Sequence, residues 1–317
     1  MVEDTRIAES RLIHRKTGKT FYFATRLLPE RVRRPTYVLY AFFRVADEVV
    51  DDPGDATPAE QRARLEEIRA AALGREPTED PVVSAFAEVR TAHDIPAEEV
   101  EAFVDAMAAD VDTHRYGTYE DLEGYMRGSA AAVGVMMTVV MDADDLETAV
   151  PHARRLGEAF QLTNFLRDVG EDVAERDRIY LPRETLDAYG ADVADLEARR
   201  FTPALGDAIE HELRRAEHRY REGVAGIRYL PRDCQLPVLT AAVLYADHHR
   251  LIRNRNYDTV TATPSLGTLR KLALVARTRW HWVWTDDPEA VFERVTGIST
   301  TADRSRPAGP GKRVPTH

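Results

Sequence analysis

The stretch DEVVDD, residues 47 to 52, places four acids in six positions at the end of a segment that otherwise reads as buried helix. Drawn as a helix, Tyr40, Arg44, Asp47 and Asp51 share one stripe, while Val38, Phe42, Val45 and Val49 line the other side. Asp47 and Asp51 then project together, and like charges ~6 Å apart repel by about 3 kcal/mol at an effective dielectric near 20. Either both acids point into water, where screening makes the repulsion small, or something cationic meets them.

The pattern recurs 121 residues on, in QLTNFLRDVGEDVAERDRIYLP, residues 161 to 182. On a helix Gln161, Asn164, Asp168 and Asp172 form one face with Glu171 and Glu175 at its margins, opposite Leu162, Leu166, Val169 and Val173. Two such stripes carry oxygen donors at every turn. Hard cations such as Mg2+ take that donor set and are usually shared with substrate phosphates. Arg44 and Arg167, beside the acid pairs, either fork onto phosphate oxygens or pair with the carboxylates themselves. Gly170, inside the second stripe, costs a helix about 1 kcal/mol relative to Ala and marks close approach or a bend. The small residues of YMRGSAAAVGVMM, 125 to 137, either let helices pack closely or leave room for a chain-like substrate.

A diphosphate held by metal ions and arginines leaves readily from an allylic carbon, because the charge developing on its oxygens is stabilised. The carbocation left behind needs an apolar or aromatic enclosure that excludes water. Phe21, Tyr22, Phe23, Tyr40, Phe42 and Phe43 are candidates for that enclosure, with plain core packing as the alternative for each. Asp247, His248 and His249 invite a metal reading, but no H-E-x-x-H accompanies them, and core is the better assignment.

The elements that must position these groups are helices. Apolar residues recur at three and four spacing through 35–50, 60–73, 81–92, 96–111, 118–141, 147–175, 203–229, 236–256 and 266–284, and no strict alternation is long enough for a sheet. The chain reads as one all-α domain over residues 1–299, with an aperiodic, disordered tail over 300–317. A net charge of −11 argues against nucleic acid as a partner. The single Cys234, the absence of an apolar run of bilayer length and the polar N-terminus fit a cytoplasmic location. Only four of the 43 basic residues are lysine, which suits a salty cytoplasm or GC-biased codon usage equally well.

TFYFATRLLP, YVLYAFFRVADEVVDD, RYGTYEDLEGYMRGSAAAVG and QLTNFLRDVGEDVAERDRIYLP together resemble the squalene/phytoene synthase family, and within it phytoene synthases, in order and spacing from about residue 10 to 285. The resemblance implies an all-α isoprenoid-synthase-type bundle around a central cavity. It implies head-to-head condensation of two geranylgeranyl diphosphates to phytoene through a cyclopropyl diphosphate, without NADPH. In its terms Asp47, Asp51, Asp168 and Asp172 hold Mg2+, or Mn2+ as a substitute, with Asn164 near metal and diphosphate. Arg44, Arg167, Tyr40, Tyr125 and Tyr245 contact the diphosphate or line the cavity, and Lys19 belongs to an N-terminal flap. The chain departs from the family at Gly18-Lys19-Thr20-Phe21, where S-K-S-F is frequent, and at Tyr125 to Ala131, where Y-C-x-x-V-A-G is frequent; the second bears on chain length and product. The alternatives are a squalene or dehydrosqualene synthase using farnesyl diphosphate, and a non-catalytic assembly factor. Lipid substrates and product further imply peripheral contact with a membrane through an apolar cavity rim, and leave other carotenoid-pathway enzymes as partners.

Overall fold

Apolar positions three and four apart become helices nearly everywhere the sequence places them. The computed structural model describes residues 24–300, so Lys19, Phe21, Tyr22, Phe23 and the tail from 301 lie outside the described residues. In chain order the α-helices are α1 (Glu30–Asp51), α2 (Pro58–Ala72), α3 (Pro81–Ala92), α4 (Ala97–Ala109), α5 (Tyr119–Met126), α6 (Ala132–Val140), α7 (Leu146–Arg167), α8 (Val169–Arg176), α9 (Arg183–Tyr189), α10 (Val193–Glu197), α11 (Pro203–Ala225), α12 (Arg232–Asn254), α13 (Thr268–Trp284) and α14 (Pro288–Thr296). A π-helical turn, Arg127–Ala131, joins α5 to α6, and a 3-10 turn, Gly226–Tyr229, precedes α12. No strand occurs among the described residues; the single β-bridge pairs Arg115 with Ile179.

Local chemistry sets several starts. Thr57 and Glu60 cap α2 reciprocally, Thr118 and Asp121 do the same for α5, and Asp80, Asp145 and Thr202 each accept a backbone N–H at the head of their helix.

Two expectations change. The helix expected over 147–175 is broken at Asp168, which ends α7 and begins α8. The cause is tertiary: the Gly170 N–H donates to the Thr259 carbonyl at 3.0 Å instead of continuing the helical ladder. A Cβ at residue 170 would stand 2.0 Å from the Val260 oxygen, so glycine is required for that approach. The helix expected over 118–141 contains the π turn, and its small residues make tight contacts: a Cβ on Gly128 would meet the Ala102 oxygen at 2.1 Å, and one on Gly134 the Ala153 oxygen at 2.4 Å.

Three apolar clusters form the interior. One joins α1 to α4 and α6 around Phe42, which stacks on Phe86; a second joins α5, the end of α7 and α9 to α11; the third joins α7 and α11 to α14 around Tyr220 and Phe292. The buried free Cys234 belongs to the first.

Candidate active site

A cavity of about 790 Å³ opens between the clusters, with walls drawn from α1, α4, the π turn, α6, α7 and α12. Tyr40, Arg44, Asp47, Gln161, Asn164 and Arg167 line its polar part; Phe43, Phe103, Met137, Phe160 and Val238 are among its apolar lining. Both stripes therefore contribute to one space. Of the aromatic candidates, Tyr40 and Phe43 line it, whereas Phe42 is fully buried core.

Each stripe acid meets an arginine. Arg44 pairs with Asp47, and Arg167 donates from Nε to Asp168 at 2.6 Å. Arg176 reaches Asp51 at 3.3 Å and Asp172 at 3.1 Å, and Arg178 donates to Asp51 at 2.9 Å. Arg176 and Arg178 thus tie the end of α1 to α8. Both lie within the quoted 161–182 block: Arg176, the last residue of α8, keeps helical spacing with Asp172, whereas Arg178 follows the left-handed Asp177 and the end of α8, so no helical projection shows that it folds back.

The carboxylates are strained in charge. Burial and then the neighbouring Asp51 push the Asp47 carboxyl up to about 6, against the pull of Arg44. Burial and then Asp168 push Asp172 up to about 7, against Arg176. As they stand, no three acid, His or Cys side chains converge as a metal cage among the described residues. The donor set nonetheless fits a hard cation. It is all oxygen, Asp47 and Asn164 line the cavity while Asp51, Asp168 and Asp172 stand outside its lining, and two of its carboxylates sit where added positive charge would favour the ionised form.

Tyr125 lines the cavity, and its buried hydroxyl donates to Asp110 Oδ2 at 2.7 Å. Tyr125 stacks near Tyr180, which lies face to face with Phe165 at 3.8 Å. Asp110, which sequence reasoning did not single out, is 3% exposed, and burial pushes it up to about 7 although Arg178 lies 3.6 Å away. Its only sequence signal was an acid closing an apolar helix. Tyr245 lines the cavity and stacks on Phe160 at 4.5 Å, and burial pushes its hydroxyl up to about 12.

The histidines are core. His249 contacts the Thr163 hydroxyl at 2.9 Å and Glu217 at 3.3 Å, His248 contacts the Tyr245 carbonyl at 3.0 Å, and Asp247 receives Arg250 and Arg270.

An all-α bundle around one cavity, with residues of both stripes on its wall, is the isoprenoid-synthase architecture. The chain belongs to the squalene/phytoene synthase family, whose profile matches residues 14–280. It is 36% identical over 284 residues to a phytoene synthase of Rhodobacter capsulatus, covering 87% of this chain and 81% of that one. It is 35% identical to a 15-cis-phytoene synthase of Synechocystis, covering 80% and 79%. Among solved structures it superposes on a dehydrosqualene synthase in complex with ligand at a TM-score of 0.79, with 28% identity over 89% of this chain and 98% of that one. Squalene synthase HpnC from Alicyclobacillus acidocaldarius gives a TM-score of 0.72 at 27% identity, over 80% and 95%.

Proposed function

We propose that this chain is a prenyltransferase that joins two geranylgeranyl diphosphates head to head to give phytoene. The observation that carries this reading is the cavity itself, charged where the two stripes meet and apolar beyond, with phytoene synthases among its relatives. Asp47, Asp51, Asp168 and Asp172, with Asn164, are the residues that would hold Mg2+ or Mn2+. Bound there, such a cation would neutralise charge on the departing diphosphate. Arg44 and Arg167, already at the cavity wall, orient diphosphate oxygens as planar forks.

In the first half-reaction one diphosphate leaves, a bond forms between the two chains, and loss of one proton closes a cyclopropane that still bears the second diphosphate. In the second, that diphosphate leaves, the cation rearranges, and loss of another proton leaves the central double bond. Tyr125 turns its hydrogen toward Asp110, so its oxygen keeps lone pairs for the cation or for a proton. The aromatic walls exclude the water that would trap the cation. No hydride is needed, so NADPH is not a cosubstrate.

The test is incubation of purified protein with Mg2+ and each prenyl diphosphate, followed by chromatography of the lipid products. Phytoene from geranylgeranyl diphosphate, unchanged by NADPH, is expected. Activity confined to farnesyl diphosphate, or a product that gains two hydrogens with NADPH, moves the chain to the squalene side of its family. No product from either leaves an assembly role.

A further inference from the structure

Of the nine large apolar residues exposed among the described residues, none lines the cavity and five lie on α13: Leu269, Leu272, Trp280, Val283 and Trp284. With Ala273 and Ala276 they fall three and four apart, so they form one continuous stripe along the helix. The exposure is large, 84% for Leu269, 63% for Trp280 and 70% for Trp284. On its inner face the same helix packs Leu274 and Trp282 into the third cluster, so the outward stripe is not a misplaced core. An apolar stripe of this length on an otherwise charged surface marks a contact.

Charge identifies what it contacts. In a protein of net charge −11, residues 268–284 contain Arg270, Lys271, Arg277 and Arg279 and no acid. The acids just beyond, Asp286 and Asp287, lie near Arg232 and Arg228 of the neighbouring segment. All three tryptophans of the chain sit in the last turns, at 280, 282 and 284. Tryptophan and leucine on one face with arginine and lysine beside them is the composition of a helix lying in a bilayer interface. A second copy of the chain would bring two acid-free cationic helices together. We propose that α13 seats this protein on an anionic lipid surface, with the Leu269 to Trp284 stripe among the acyl chains and Arg277 and Arg279 at the headgroups. Since α12 contributes Pro237, Val238, Ala241 and Tyr245 to the cavity and packs against α13, the lipid-facing surface lies one helix away from the apolar cavity wall.

The position of the tryptophans makes the test direct, and it does not depend on the assigned reaction. Large unilamellar vesicles of phosphatidylcholine and phosphatidylglycerol, in roughly a 3:1 ratio, should shift the tryptophan emission to the blue, and brominated acyl chains should quench it. Protein should sediment with these vesicles, and roughly tenfold less with phosphatidylcholine alone or in high salt. Leu269→Ser with Trp284→Ser should reduce sedimentation roughly tenfold while leaving circular dichroism and turnover of detergent-dispersed substrate intact. Arg277→Glu with Arg279→Glu should remove the preference for the anionic lipid. Emission that is already blue before vesicles are added and does not move, or vesicle binding unaffected by both variants, overturns the proposal. A dimer in sedimentation that dissolves on the Leu269 and Trp284 changes, without vesicle binding, assigns the stripe to a second copy instead.

Discussion

Asp51 at the end of α1 and Asp172 on α8 are held by one guanidinium, that of Arg176, at 3.3 and 3.1 Å. The two acidic helices are thus joined by a cation that belongs to the chain, at the position where substrate and metal charge would otherwise act. Removing it tests whether the bridge is structural. Arg176→Ala should lower stability by about 1–3 kcal/mol in metal-free buffer, because the buried Asp172 and the partly buried Asp51 lose their shared partner. With Mg2+ and inorganic diphosphate the deficit should narrow in a thermal melt. An equal deficit in both conditions would show that the arginine and the metal do not serve the same acids.

Asp47→Asn and Asp168→Asn should each lower turnover by roughly two to three orders of magnitude with unchanged helical circular dichroism, since each removes a carboxylate of the stripes, Asp47 on the cavity wall and Asp168 paired with Arg167, which lines it. Asp52, exposed at the end of α1 and off the stripe, is the control, and Asp52→Asn should retain most activity. Full turnover in either stripe variant sinks the assignment of the metal site.

Gly170→Ala should destabilise by roughly 2–4 kcal/mol, because its Cβ would collide with a backbone oxygen that cannot rotate away. Gly124, within α5, has nothing within 4 Å of an added Cβ, and Gly124→Ala should stabilise by about 1 kcal/mol. Urea unfolding of the pair checks the contrast.

Asp110 gives a pH signature. Its carboxyl is raised to about 7, chiefly by burial, so its contribution to stability is full below the unfolded carboxylate range near 4 and is lost as pH rises toward 7. Asp110→Asn does not titrate, so its stability relative to the parent should improve between pH 5 and pH 8. A difference that stays constant over that interval would remove the buried charge as its cause.

The helical character and the two stripes were legible because a period of 3.6 residues survives in sequence whatever the helices later do, whereas the cavity between them came only from the resemblance to the family. Asp168 shows the limit: its neighbours keep helical spacing, yet the Thr259 carbonyl captures the next turn, and only Gly170 hinted at it. Arg178 and Asp110 were not legible as site residues, because their roles arise from chain reversal and burial depth, neither of which leaves a period; Arg176 keeps helical spacing with Asp172, but its reach to Asp51 on α1 does not show in that spacing. The tryptophans were visible as letters, but their outward direction depends on which face of α13 the third cluster claims.

The π turn at Arg127–Ala131 has a consequence for register. At 100° per residue, Tyr125 and Val133 on an unbroken α-helix would point about 80° apart, and Tyr125 and Met137 about 120°. One surplus residue in the turn brings each pair to within about 20° of a common line, and all three side chains do line the cavity. The segment works as a vernier between the aromatic end of the cavity and its aliphatic end. Deleting a single residue there would leave both ends intact and swing one of them out of phase with the other.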